Sequence, residues 1–141
     1  MMDVHIGQGV LAAKGFRAGT AACGIKRSGN TDVVLIAADQ ALTGLAMVGT
    51  LNVVCAPSVT RNRAEVSGPN APFIRGVVIN SGCANVATGQ QGIDANSEMA
   101  ERAALLCGGG VLTASTGVIG VQLPMEKLCK GIVDDRSSSG T

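Results

Sequence analysis

Two short apolar runs, residues 33–38 (VVLIAA) and 75–80 (RGVVIN), constrain this chain more than any other feature. The first is continuous and the second has an apolar centre; both are rich in branched side chains, the mark of strands covered on both faces rather than of a sheet washed by solvent on one side. A third run, residues 111–115 (VLTAS), follows the Gly108-Gly109-Gly110 turn and reads as another strand. Residues 45–48 and 52–55 predict two further short strands, ended by Pro57. Helical spacing enters later. Ala95, Met99, Ala103 and Leu106 predict a helix over 94–107, with Asp94 as N-cap, a Glu98–Arg102 pair at i,i+4, and Gly108 as its stop. Pro124 opens a second helix whose face is Met125, Leu128, Cys129 and Ile132.

The remaining segments are polar or glycine-rich. The first thirty residues predict turns and close backbone approaches, with a turn at Ser28-Gly29-Asn30. Residues 58–72 hold two prolines and a glycine and predict an irregular connection. The closing DDRSSSGT has no periodicity and predicts a disordered tail. The expected organisation is one unit over residues 1–133 and a tail over 134–141, without repeats or an internal linker. Helices follow strands only in the second half, so a layered α/β sandwich fits better than a doubly wound sheet.

Composition narrows the function. Phe16 and Phe73 are the only aromatics, and the core must be built from Ala, Val, Leu and Ile, which pack tightly but stack poorly on bases or sugars. Net charge is +1, and the densest basic pairs, Lys26-Arg27 and Arg61/Arg63, read as solvated surface, not as a nucleic-acid footprint. No apolar run reaches the ~18 residues of a membrane span, and the opening residues lack the pattern of a secretory or transit segment. Five spread cysteines and a single His5 predict buried free thiols, with no metal site.

Two segments could carry chemistry: residues 80–85 (NSGCAN) and 115–120 (STGVIG), each at the C-terminal end of a strand, where α/β proteins present N–H groups to ligands. In the second, the Thr116 hydroxyl and the Gly117 amide could point at one oxygen and stabilise a developing oxyanion. On spacing alone a plain turn is the commoner reading. Elsewhere the groupings are weak. Gly108-Gly109-Gly110 precedes a strand and lacks a following Lys-Ser/Thr, so it is no phosphate loop. Asp134-Asp135 sits in the polar tail, and Cys83 has nothing nearby to activate it.

At these segments the chain resembles the glutamate N-acetyltransferase/ornithine acetyltransferase family of arginine biosynthesis. The likeness is colinear over about residues 10–132. It takes in KGFRAGTAACGIKRSG from Lys14, VVLIAAD from Val33, residues 52–57, RGVVINSGCANVATGQQGIDANSEMAE from Arg75, and ASTGVIGVQLPMEKLCKGI from Ala114. The chain departs from the family at Gly49-Thr50-Leu51-Asn52, usually T-T-N, and at Cys83, often Asn.

The resemblance implies a layered α/β/β/α sandwich of the ornithine acetyltransferase type, here incomplete. It also implies a precursor that cuts itself before an internal Thr, which becomes an N-terminal nucleophile. That Thr takes acetyl from N-acetylornithine and passes it to glutamate, with no metal or cofactor; acetyl-CoA as a second donor is a variation within the family. The family's oxyanion pair falls on Thr116 and Gly117. Its substrate-binding Thr and Lys and its nucleophile lie in segments this chain does not contain, so the chain alone is expected to be inactive. The resemblance further implies a heterotetramer of two alpha and two beta chains, in the cytoplasm or, in a eukaryote, the mitochondrial matrix or plastid. A second class stands beside this one: a non-catalytic remnant serving as an interaction module.

Overall fold

The computed structural model describes residues 9–42 and 44–134. A four-stranded sheet is ordered β1-β2-β3-β4 in space as in sequence. β1 (Phe16–Ala21), β2 (Val33–Ala38) and β3 (Ile74–Cys83) pair antiparallel, whereas β4 (Gly110–Val118) runs parallel to β3. A parallel neighbour needs a crossover connection. Here it is α2 (Gly89–Cys107), which runs back over β3 and β4. The fold is therefore mixed α/β, with α1 (Pro57–Ser67) and α3 (Met125–Asp134) completing the helices.

One sheet face is the core. Val33 and Ala37 of β2, Val78 of β3 and Val111 of β4 pack against Ala95, Met99, Ala103 and Cys107 of α2, with Leu128 and Ile132 of α3 closing one side. The alanines let α2 approach the sheet closely, which is how a chain nearly without rings seals a core. On the opposite face, Val34, Ile36, Val77, Ile79, Leu112 and Ala114 stay half-buried. The two apolar runs therefore belong to central strands, but among the described residues one of their faces is not sealed.

α1 corrects the expected irregular stretch at 58–72. Pro57 takes its first position, where a missing N–H costs nothing. The helix has no apolar stripe because it docks through polar side chains. The Asn62 amide donates to the Thr113 carbonyl at 2.7 Å, and the Thr113 N–H donates back to Asn62 Oδ1 at 3.0 Å. Arg61 donates to the Val111 carbonyl at 2.9 Å and pairs with Glu65. Asn62 thus stands in for a fifth strand along the outer edge of β4. Asn62→Leu leaves both Thr113 backbone groups unsatisfied and should lower the unfolding free energy by about 2–3 kcal/mol, read from a urea midpoint.

Other expectations shift. Residues 45–48 and 52–55 are not strands. Val48, Leu51 and Val53 are 100%, 96% and 96% exposed, and this stretch has no strand beside it among the described residues, so its β propensity has nothing to pair with. β1 forms in the glycine-rich opening, as an exposed edge strand drawn into place by β2. α2 starts at Gly89 after Thr88, one and a half turns before Asp94, and ends as expected at Gly108, with Glu98 and Arg102 paired at 3.3 Å. β4 continues through Val118, so Thr116 and Gly117 lie inside the strand's last turn of pairing and not after it. Asp134 closes α3, and the rest of the expected tail, like His5 and the opening residues, lies outside the described residues.

Asp32 ties the β1–β2 connection to β3. Its buried carboxylate accepts the N–H groups of Cys23 at 2.7 Å, Ile25 at 2.6 Å and Lys26 at 3.1 Å, and its own carbonyl accepts the Ser81 N–H at 2.8 Å. Burial alone would raise this carboxyl. The N–H groups of Cys23, Lys26, Ile25 and Gly24 prevail and hold it below its ordinary value.

Candidate active site

The parallel β3–β4 ladder brings the two sequence segments together. Asn80 pairs with Ser115, Ser81 with Thr116, Gly82 with Gly117 and Cys83 with Val118. Thr116 and Gly117 are exposed at the end of β4. By strand alternation the Thr116 side chain stands on the half-buried face, opposite the α2 face to which Val111 and Thr113 point.

Gly117 has φ +131°, a region that L side chains rarely adopt. A Cβ on it would overlap the Gly82 carbonyl carbon and lie 2.6 Å from Cys83 N and 2.7 Å from Gly82 O. Absence of a side chain therefore lets the end of β4 press flat against the Gly82–Cys83 peptide.

Around this contact the loops are cross-tied. Ala84 N–H donates to the Val118 carbonyl at 2.9 Å, Gly120 N–H to the Val86 carbonyl at 2.8 Å, and the Gln122 amide to the Thr88 carbonyl at 2.9 Å. Asn85 and Ala87 hold positive φ (51° and 57°) in the loop leading to α2. The Asn85 amide donates to the Gly92 carbonyl at 2.8 Å and its oxygen accepts the Thr88 hydroxyl at 2.8 Å. Gly92 is needed there, because a Cβ would overlap that hydroxyl. Fully buried Asn80 donates to the Cys83 carbonyl at 2.9 Å, holding the peptide that follows the one on which Gly117 rests.

Cys83 is buried and its Sγ donates to the Val121 carbonyl at 3.1 Å. Burial, then the Asp32 carboxylate beside it, push the Cys23 thiol up to about 11. Among the described residues no group of three His, Cys, Asp or Glu gathers that could hold a metal ion, and no helix is long and apolar enough to cross a membrane.

Sequence reasoning assigned Lys26 to solvated surface. Its stem instead packs at Gly82, with Cγ 3.2 Å from where a Cβ on that glycine would lie, and its ammonium donates to the Thr31 carbonyl at 3.1 Å. This contact joins distant segments and leaves no local signature. Asp32 was missed for the same reason.

Fold and strand ends together define an α/β protein of the ornithine acetyltransferase type. The structure superposes on an ornithine acetyltransferase of Mycobacterium tuberculosis complexed with ornithine, with a TM-score of 0.78 and 36% identity over 88% of this chain and 67% of that one. It matches the arginine biosynthesis bifunctional protein of Bacillus halodurans with a TM-score of 0.77 and 32% identity, over 86% and 63% of the two chains. The chain belongs to the ArgJ family, whose profile matches residues 17–139. Relatives named arginine biosynthesis bifunctional protein ArgJ include one from Thermus thermophilus, 46% identical over 87% of this chain and 32% of that protein, and a mitochondrial one from Heterostelium pallidum, 40% identical over 86% and 28%. The chain thus spans about a third of the length of these curated relatives.

Proposed function

We propose that this chain contributes the oxyanion hole of an acetyltransferase of arginine biosynthesis that moves acetyl from N-acetylornithine to glutamate. The carrying observation is the exposed Thr116-Gly117 pair at the end of β4, held against β3 by the Gly117 contact. When a nucleophilic Thr attacks the acetyl carbonyl, the carbonyl oxygen gains negative charge. The Thr116 hydroxyl and Gly117 N–H donate to it. The proton taken from the nucleophile by its own free α-amine passes to the leaving nitrogen, collapse expels ornithine as a neutral amine, and the acyl-enzyme then yields its acetyl to the glutamate amine. The nucleophile, released by autocatalytic cleavage before it, matches no residue of this chain, so the 141 residues alone do not turn over. Residues 1–133 form one portion of the acetyltransferase domain, completed by further segments in a heterotetramer of two alpha and two beta chains. The setting is the cytoplasm, or the mitochondrial matrix or plastid in a eukaryote.

A second reading, a non-catalytic interaction module, draws on the exposed Val48, Leu51 and Val53 and the half-buried sheet face, both suited to docking on a partner. One experiment separates the two. Expressed alone, the chain should transfer no acetyl from N-acetylornithine to glutamate. Combined with the remaining segments of an ArgJ relative it should, and Thr116→Val should then slow it about 10²-fold. Turnover by the isolated chain overturns the missing-nucleophile reading. A combined protein that folds without activity favours the module.

A further inference from the structure

Three polar side chains lie sealed beneath the site with atoms that find no partner among the described residues: Asn80 through Oδ1, Ser115 through Oγ, and Asn96 through both amide atoms. Asn80 and Asn96 are 0% and 1% exposed. Sealed polar atoms left unbonded are costly, and native proteins satisfy nearly all of them.

All three face the seam between α2 and the sheet. Asn80 and Ser115 are direct partners in the β3–β4 ladder, and both follow residues, Val78 and Thr113, that are buried on the α2 face two positions earlier. Asn96 lies one helical turn past Gly92 on the buried stripe of α2, and Gly92 is tied by Asn85 to the end of β3. Their chemistry is complementary. A serine hydroxyl donates once and also accepts, the free Asn80 oxygen accepts, and the Asn96 amide does both. Asn80 already spends its own amide on the Cys83 carbonyl, one peptide beyond the Gly82–Cys83 unit that supports Gly117.

We propose that Asn80, Ser115 and Asn96 form one buried network, the Ser115 hydroxyl donating to Asn80 Oδ1 and accepting from the Asn96 amide, that aims the Thr116 and Gly117 donors. They are positioning residues, and the inference rests on the oxyanion reading above. The network links α2 to β4, β4 to β3, and β3 to the Cys83 carbonyl, next to the peptide under Gly117, so the donors are set from behind. Small rotations at Ser115 and Asn96 complete it.

The test is a mutant cycle in the full-length enzyme carrying this segment: Ser115→Ala, Asn96→Ala, and the double variant, with Ser115→Thr as the hydroxyl-retaining control. Each single change should lower kcat about tenfold, with KM for N-acetylornithine moving less than about twofold, and the double should be no slower than the worse single within about twofold. Ser115→Thr should recover most of the rate. Should Asn96→Ala fail to accumulate, Asn96→Ser carries the same cycle. Multiplicative losses, or an unchanged kcat, overturn the network. Thr116→Val, run in parallel, keeps the two inferences apart. An unchanged rate there removes the oxyanion reading whatever Ser115 shows. A loss there beside multiplicative losses at Ser115 and Asn96 removes the network alone.

Discussion

Gly117→Ala in the full-length enzyme is expected to lower acetyl transfer by about 10²–10³-fold, the size of losing one oxyanion donor. Alanine is the smallest side chain that could be added, yet its methyl would overlap the Gly82 carbonyl carbon, with Cys83 N and Gly82 O at 2.6 and 2.7 Å. Both neighbours are backbone and cannot rotate away. Relief must come from moving the end of β4 off β3, and φ +131° adds strain for any L residue. The Gly117 N–H then leaves its position, while groups that bind the rest of the substrate are untouched. Loss should therefore appear in kcat, with KM little changed. A variant that folds and keeps its rate would remove the Gly117 amide from the mechanism.

Asp32→Ala should cost about 3–5 kcal/mol of stability, the largest loss expected for one polar substitution here, because three N–H groups lose a charged acceptor together. Asp32→Asn keeps an oxygen for part of the set and should fall between. The effect should depend on pH. The folded carboxyl ionises below its ordinary value, whereas in the unfolded chain it titrates near 3.9. Its contribution is thus present in full above about pH 4 and is lost as pH falls through the folded value. Urea midpoints of wild type and Asp32→Asn should differ most at pH 7 and draw together as the pH falls below about 4. A gap that holds constant down to acid would show that the carboxylate charge is not what orders residues 23–26.

The fold was legible where side-chain pattern and burial agree. The apolar runs became β2 and β3, VLTAS became β4, and the Met125, Leu128, Ile132 spacing became α3. α1 was not legible because its anchoring residues, Arg61 and Asn62, are polar and act on a strand some fifty positions away. Residues 45–55 misled in the opposite way: branched residues there suit a strand, but a strand exists only beside another. Thr88 was passed over as the start of α2 because Gly89 and Gly92 in its first turn look like breakers, while the fold uses the second to seat the Asn85–Thr88 pair. As for the site, spacing marked both strand ends as candidates without saying that they touch. The role proposed for them rests on resemblance, and their adjacency came from the parallel register, which a crossover of this length leaves open. Lys26 and Asp32 act through contacts between separate segments.

The Asn62 cap leaves the sheet with two unlike margins. At β4, both Thr113 backbone groups are taken by a side chain, so a stray extended peptide finds that rim shut. At β1, pairing among the described residues is with β2 alone, and the outer rim is open. If copies of this polypeptide add to one another in a growing stack, recruitment has one direction of entry. Charges placed along Phe16–Ala21, and not along Gly110–Val118, are where self-assembly would be stopped.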